Sequence, residues 1–165
     1  MFISPTHGAL SFEDTIERVS AFLTEEGSYR LIVGTDSQSY RNGVLFVSAI
    51  VIHRIGRGGI YFYRRLFNDK LYGFKERIFT ETSLSLSLAG ELLCALAEDP
   101  ERSEYYRRIL EIHLDVGEQG ETREIINAVV GMVKGSGFAA QVKPEAFGAC
   151  SVADKHSKVT RHHAA

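Results

Sequence analysis

An α/β domain built around a mixed five-stranded sheet is the fold class that this sequence predicts. Three apolar, β-branched segments follow one another between residues 29 and 67, with turn signals between them. Two later strand-like segments alternate with helical segments, which is the pattern of parallel crossover connections. The chain has 165 residues, enough for one domain with a hydrophobic core. We predict that this domain spans residues 1–160 and that residues 161–165 form a frayed tail.

The first predicted elements are one helix and a three-stranded antiparallel meander. Ser11 can cap a helix over residues 12–25, whose apolar side chains repeat at helical spacing and which Gly27 ends. Strands are predicted at residues 29–40, 44–54 and 59–67. Asn42-Gly43 is a strong signal for a tight hairpin between the first two strands. The second strand, VLFVSAIVIHR, is too apolar to have a solvent-facing side, so we place it centrally.

The second half of the chain alternates helices and strands. The segment SLSLSL alternates like a strand, but it runs into AGELLCALA, so we predict a helix over residues 80–99 that Pro100 ends. The later elements are a strand at 108–117, a helix introduced by Gly120 and Thr122 and ended by Gly135, a strand at 138–146 and a helix at 146–159. Right-handed crossovers make the fourth and fifth strands parallel. Placing the fourth strand beside the first yields the sheet order 3-2-1-4-5.

The composition argues against several classes of protein. No apolar run reaches about 18 residues, so we expect no membrane span. The N-terminal segment MFISPTHGALSFED lacks the pattern of a secretory signal. Cys94 and Cys150 are too few for a disulfide scaffold and lack metal-ligand spacing, which favours a cytoplasmic location. The glycines of GRGG, residues 56–59, lack the Lys-Ser/Thr ending of a phosphate-binding loop.

The positive charge is concentrated in one segment. Residues 54–77 contain seven basic and two acidic residues, a net charge of +5 in a chain whose total is −2, so the remainder carries −7. Tyrosine and phenylalanine residues are interleaved with these cations. This composition suits single-stranded nucleic acid, and Arg64 and Arg65 are the candidate contacts. The alternative is a solvated face of the sheet with no ligand.

Two aspartates are predicted to lie side by side on neighbouring strands. Asp36 follows the buried run from Leu31 to Val33, and Asp115 ends the fourth predicted strand. Two carboxylates about 4 Å apart repel by roughly 4 kcal/mol at an effective dielectric constant near 20. Such a pair therefore needs a cation or a shared proton. Asp36 alone also fits a turn residue that faces water.

Two further carboxylates complete the candidate set. Helical phase places Glu81 on the buried side of the helix after the third strand and Glu91 toward its exposed edge. Asp154 lies in the last helix. Each acid has a structural alternative, a first-turn acid for Glu81 and a solvated helix acid for Asp154. The stronger interpretation is that Asp36, Glu81, Asp115 and Asp154 converge at one end of the sheet.

The order of elements and carboxylates resembles the ribonuclease H-like fold. The segments IVGTDSQ, HLDVGEQGET and KPEAFGACSVADKHSK are more specifically similar to the YkuK family of ribonuclease H-like bacterial proteins. The resemblance covers residues 2–158. It implies that an Asp on the first strand, a Glu on the long helix, an Asp at the end of strand four and an Asp or His on the last helix bind two Mg²⁺ ions, a site that Mn²⁺ also suits. The helix at 12–25 precedes the usual core, and the basic handle that grips hybrid duplexes is not evident.

The resemblance implies a metal-dependent nuclease that hydrolyses RNA, an RNA/DNA hybrid or branched nucleic acid by a two-metal mechanism. In that case Asp36, Glu81, Asp115 and Asp154 are both the metal ligands and the catalytic residues. Further candidate substrate contacts are Thr35, Gln38, Lys143, Lys155 and His156, beside Arg64 and Arg65. The alternative function is a ribonuclease H-like module that binds nucleic acid or protein without cleaving it.

Overall fold

The computed structural model describes residues 1–97, 100–117 and 125–158. Its strands are β1 (Phe2–Ser4), β2 (Gly8–Leu10), β3 (Tyr29–Tyr40), β4 (Gly43–Arg54), β5 (Gly58–Asn68), β6 (Leu110–His113) and β7 (Ala139–Gln141). Its helices are α1 (Phe12–Leu23), α2 (Phe74–Leu96), α3 (Pro100–Ile109), α4 (Ile126–Gly135) and α5 (Gly148–Ser157). Among the described residues, no helix is both long and apolar enough to cross a membrane.

All seven of these strands form one mixed sheet, in the order β2-β1-β5-β4-β3-β6-β7. Five adjacent strands, β5-β4-β3-β6-β7, reproduce the predicted order 3-2-1-4-5, with β3, β4 and β5 antiparallel and β6 and β7 parallel to β3. The predicted number of strands was too low, because the hairpin of β1 and β2 extends the sheet beyond β5. These two strands have three residues each, too few to show a period-two pattern.

The β3–β4 hairpin forms where Asn42-Gly43 predicted it. Tyr40 pairs with Gly43, so the turn contains only Arg41 and Asn42. Gly43 has a φ of 150°, and a Cβ atom there would lie 2.2 Å from the carbonyl oxygen of Asn68. A side chain at this position therefore cannot be accommodated without moving β5.

The helices differ from their predictions mainly at their ends. The cap of α1 is confirmed, because the Ser11 hydroxyl accepts a 2.9 Å hydrogen bond from the Asp14 amide and the Asp14 carboxylate accepts from the Ser11 amide. Helix α2 begins six residues before the predicted Thr80. It ends at Leu96, before Pro100 as predicted, and Pro100 starts a further helix, α3, which suits proline at a first helical position.

Helix α3 occupies the start of the predicted fourth strand, so β6 is shorter than predicted and ends before Asp115. Strand β7 and helix α5 are likewise shorter than the predicted segments 138–146 and 146–159. Gly120, Thr122 and the predicted tail at 161–165 lie outside the described residues.

Each face of the sheet carries its own core. Leu31 and Val33 of β3 pack with side chains of α1, α2, α3 and α4, whereas Ile32 packs with Ala149 and Ala153 of α5. Because side chains alternate along a strand, odd-numbered residues from 31 to 37 face α2 and even-numbered residues from 32 to 38 face α5. Neighbouring side chains of β3 therefore reach the candidate site from opposite faces.

Candidate functional site

Asp36 lies on the α5 face of β3, half-buried. In the parallel β3–β6 register Gly34 is opposite His113, so extending that register places Asp36 beside Asp115. The pKa of Asp36 is raised above its usual value, mainly by burial and next by the negative charge of Asp115. A 3.1 Å hydrogen bond from the Ser157 hydroxyl to Oδ2 of Asp36 opposes this shift. The surroundings of Asp36 thus disfavour the ionised form of its carboxyl group.

Glu81 approaches the same region from α2. Its side chain is buried, with 7% of the residue exposed, as its helical phase predicted. The pKa of Glu81 is raised to about 8, mainly by burial and to a lesser extent by the charges of Asp36 and Asp115, against the opposing effect of a hydrogen bond from Ser37. That bond joins the Ser37 hydroxyl to Oε1 of Glu81 at 2.5 Å. Glu91 is exposed, also as predicted, and the structure pairs it with Arg64.

Asp115 follows β6 and forms an ion pair with Lys143, which lies just beyond β7. The hydrogen bond and charge of Asp115 raise the pKa of the Lys143 ammonium group. The amide of Lys143 also donates a 2.9 Å hydrogen bond to the carbonyl of Val116, which fixes the backbone of the two segments together. A lysine ammonium group therefore neutralises one member of the aspartate pair.

Asp154 reaches the site from α5, one turn before the end of that helix. Its Oδ1 lies 2.5 Å from Nζ of Lys158, and its negative charge contributes to the raised pKa of Asp36. The close packing of α5 on the sheet depends on Gly34, since a Cβ atom there would lie 2.9 Å from the Cβ of Ala149. Without that approach, Ser157 and Asp154 would not reach Asp36.

The four carboxylates therefore interact electrostatically, from β3, α2, the segment after β6 and α5. Within residues 1–97, 100–117 and 125–158, no three His, Cys, Asp or Glu side chains are arranged as a metal-binding group. The donor set nevertheless fits a hard divalent cation, because all four candidate ligands are carboxylate oxygens. Burial and mutual repulsion disfavour the charged forms of Asp36 and Glu81 and so raise their pKa values. A bound cation would offset both effects, because it stabilises the ionised carboxylates. The predicted metal site stays a prediction.

Comparison with known proteins agrees with this topology. The family model described as "Ribonuclease H-like" matches residues 14–158. The chain belongs to the ribonuclease H-like family. It is also 30% identical, over 167 aligned positions, to the protein "Uncharacterized protein YkuK" of Bacillus subtilis (strain 168), and the alignment covers 96% of this chain and 97% of that protein. No solved structure matches the chain. The resemblance predicted from the sequence, a YkuK-like member of the ribonuclease H-like family, is confirmed.

On this ribonuclease H-like scaffold, two predicted substrate contacts on β3 have different surroundings. Thr35 is 2% exposed, and its hydroxyl lies 2.9 Å from those of both Ser48 and Ser85. It forms a buried hydroxyl network between the sheet and α2, instead of the accessible surface that a substrate contact requires. Gln38 is half-buried and lies two residues beyond Asp36, on the same face of β3. Gln38 is therefore the better placed of the two.

The two candidate arginines of β5 lie on opposite faces of the sheet. Arg64 is on the α2 face, where Nη1 lies 3.2 Å from Oε2 of Glu91. Arg65 is on the α5 face, and its Nη2 donates a 3.1 Å hydrogen bond to the carbonyl of His156. Because adjacent residues of a strand alternate between faces, a ligand bound on one face of the sheet can contact only one of these two arginines.

The two candidates beside Asp154 also differ. Lys155 is exposed on α5. The ring of His156 is stacked on Tyr63, with centroids 3.8 Å apart and planes inclined by 9°, and its Nε2 lies 3.3 Å from the hydroxyl of Tyr61. Burial, and then the charges of Arg65 and Lys155, lower the pKa of His156. The imidazole therefore anchors α5 to β5 instead of pointing at the carboxylates.

Ser37 and Ser157 were not predicted as site residues. Neither serine is among the candidate residues of the sequence analysis, yet each donates a hydrogen bond to a candidate ligand. For Ser37, the signal is the alternation of side chains along the strand segment TDSQS. It places Ser37 on the opposite face of β3 from Asp36, which is the face that packs on α2. For Ser157, the signal is its position three residues after Asp154, on the same side of α5.

Proposed function

We propose that this ribonuclease H-like protein is a divalent-metal-dependent nuclease that hydrolyses phosphodiester bonds. The observation that carries the proposal is the electrostatic coupling of Asp36, Glu81 and Asp115, in which burial and mutual repulsion hold carboxylates in an unfavourable state. A protein retains such a cluster when a ligand compensates for it, and perturbed carboxylates in one place are typical of functional sites.

The candidate ligands are Asp36, Glu81, Asp115 and Asp154, and the oxygen-only donor set suits Mg²⁺ or Mn²⁺. Two bound ions would supply an activated water and stabilise the leaving 3′ oxygen. Ser37 and Ser157 orient the carboxylates of Glu81 and Asp36 through their hydroxyl hydrogen bonds.

The cations at the site have a second role in this proposal. Lys143 is more than half exposed although it pairs with Asp115, so its ammonium group is accessible to a substrate phosphate. Lys158 is likewise more than half exposed although it pairs with Asp154. Each lysine can exchange a carboxylate for a phosphate oxygen, because both partners are anionic acceptors at the edge of the site.

A second candidate function has an observation of its own. The ion pairs of Asp115 with Lys143 and of Asp154 with Lys158 neutralise two of the four carboxylates without any metal. Such pairing also suits a ribonuclease H-like module that binds nucleic acid or protein and has no catalytic role.

Cleavage assays distinguish the two functions. The purified protein is incubated with labelled RNA, RNA/DNA hybrid and branched DNA, each with Mg²⁺, Mn²⁺ or EDTA. We expect Mn²⁺- or Mg²⁺-dependent cleavage that Glu81→Gln abolishes and Glu91→Gln leaves largely intact. Glu91 is the matched control because it lies on the same helix but is exposed and paired with Arg64. Binding without cleavage in every metal would support the non-catalytic module.

A further inference from the structure

The C-terminal end of α5 bonds to both Asp36 and Arg65 through consecutive residues. Ser157 donates its hydroxyl hydrogen to Asp36, and the carbonyl of His156 accepts from Arg65. The antiparallel registers place Asp36 opposite Val47, and Val47 opposite Arg65, in one row across three strands. Two strand spacings separate the ends of this row, about 10 Å. Arg65 is therefore the nearest β5 cation on the face that carries Asp36.

The next row outward ends in an exposed aromatic ring. Gln38 is opposite Leu45, and Leu45 is opposite Phe67, so Phe67 lies two residues beyond Arg65 on the same face. Phe67 is 49% exposed, which is unusual for a phenylalanine within a strand. Residues of both rows contribute to one surface, formed by Gln38, Arg65 and Phe67. We name this surface the aromatic row.

The ring of Phe67 has a defined position. A Cβ atom added to Gly43 would lie 2.8 Å from Cζ of Phe67, so the ring lies close against the backbone of the β3–β4 turn. Arg41 is exposed in that same turn. The backbone after Phe67 is ordered by Asn68, whose side chain accepts from the Lys70 amide and donates to the hydroxyl of Tyr72. Because the ring and this backbone are already ordered, the protein loses little conformational entropy when a ligand binds here.

The charge of this surface is complementary to an anionic chain. Arg41, in the β3–β4 turn, and Arg65, two residues before Phe67 on the same face, are both exposed. Arg65 and Phe67 belong to the segment 54–77, whose net charge is +5 in a chain with a total of −2. Exposed aromatic rings between cations are the pattern of single-strand binding grooves, in which bases stack on the rings and phosphates pair with the cations.

We propose that the aromatic row binds single-stranded nucleic acid, with one base stacked on Phe67 and the adjacent phosphate paired with Arg65. From there the nucleic-acid strand continues along the end of α5 toward Asp36. That direction rests on the proposed nuclease function, whereas the binding itself does not. A duplex is a poorer ligand, because its bases are stacked on one another and unavailable to a protein ring.

Fluorescence anisotropy in EDTA tests this inference without relying on cleavage. The probes are an unstructured fluorescein-labelled RNA oligonucleotide and the same oligonucleotide annealed to its complement. The variants are Phe67→Ala, Phe67→Leu and Phe67→Trp. The control is Ile55→Ala, because Ile55 is similarly exposed, at 55%, but lies in the turn at the other end of β4 and β5. Circular dichroism confirms that each variant is folded.

We expect tighter binding of the single strand than of the duplex. Phe67→Ala and Phe67→Leu should weaken single-strand binding about five-fold or more, while Phe67→Trp and Ile55→Ala should preserve it. Equal affinity for the two probes, or retained affinity in Phe67→Leu, would overturn the inference. Absence of binding to any nucleic acid would also overturn it. If single strands bind as expected but are never cleaved, only the proposed nuclease function fails.

Discussion

The hydroxyl group of Ser37 donates a 2.5 Å hydrogen bond to Oε1 of Glu81 and so connects β3 to α2 at the candidate site. This bond favours the ionised form of Glu81, but burial has the larger effect, and the pKa is about 8. At neutral pH most of the Glu81 carboxyl is therefore protonated. A divalent cation that binds there has to displace that proton.

The raised pKa of Glu81 predicts how stability depends on pH. The folded protein binds a proton at Glu81 up to about pH 8, whereas the unfolded chain releases it near the ordinary glutamate pKa of 4.5. The free energy of unfolding should therefore fall as pH rises between these values and level off above them. Glu81→Gln removes this penalty, which reaches about 5 kcal/mol above pH 8. In EDTA its Tm should exceed that of the wild type by a margin that grows from pH 5 to pH 8. A constant margin would contradict the raised pKa.

A second prediction tests whether Asp36 is an electrostatically destabilised carboxylate or a structural turn residue. Burial and the charge of Asp115 raise its pKa, so Asp36→Asn should stabilise the metal-free protein by ~1–3 kcal/mol. The Asn side-chain oxygen can still accept from Ser157. Mn²⁺ should raise the Tm of the wild type by mass action and that of the variant much less. Thermal melts in EDTA and in millimolar Mn²⁺ measure both effects. If Mn²⁺ leaves the Tm of the wild type unchanged and the variant has a lower Tm than the wild type in EDTA, the metal-site hypothesis is wrong.

The ion pair between Lys143 and Asp115 predicts competition with metal. Lys143→Met leaves Asp115 facing Asp36 without a neutralising cation, so the variant should melt earlier in EDTA. It should bind Mn²⁺ several-fold more tightly, because Asp115 no longer has to release a lysine. Isothermal titration calorimetry with Mn²⁺ measures the second effect. Lys155→Met is the control, since it removes one exposed charge from α5 and keeps the Asp115 ion pair. Equal Mn²⁺ affinity in all three proteins would exclude the competition.

The two arginines of β5 should behave differently in nucleic-acid binding, because they lie on opposite faces of the sheet. Arg65→Ala should weaken binding of a single-stranded oligonucleotide and lower the salt slope of the affinity by about one. Arg64→Ala should leave both unchanged, since Arg64 lies on the α2 face and pairs with Glu91. Filter binding across a salt series measures both quantities. The opposite result would place the nucleic acid on the α2 face.

Much of the fold was predictable because its signals are local. Asn42-Gly43 specifies a tight turn, and the apolar segments on either side of it specify the strands that the turn joins. The helix of SLSLSL followed from composition over a long window. The three-residue strands β1 and β2 were missed, because pairing with each other and with β5 forms them and their own pattern is too short.

The candidate site divides in the same way. Helical phase alone separated buried Glu81 from exposed Glu91, and the order of elements alone placed Asp36 beside Asp115. The hydrogen bond of Ser37 and the ion pair of Lys143 were not predictable, since each joins residues distant in sequence through side-chain geometry.

The sequence by itself determined which residue types occur on which face of each element, because backbone periodicity and turn chemistry are local properties. Only the tertiary structure decided which of these faces meet. The closeness of α5 to β3 at Gly34 brings Ser157 to Asp36, and the docking of α2 brings Glu81 to Ser37. The pKa values of the carboxylates follow from that packing, since burial and neighbouring charges exist only once the chain has folded.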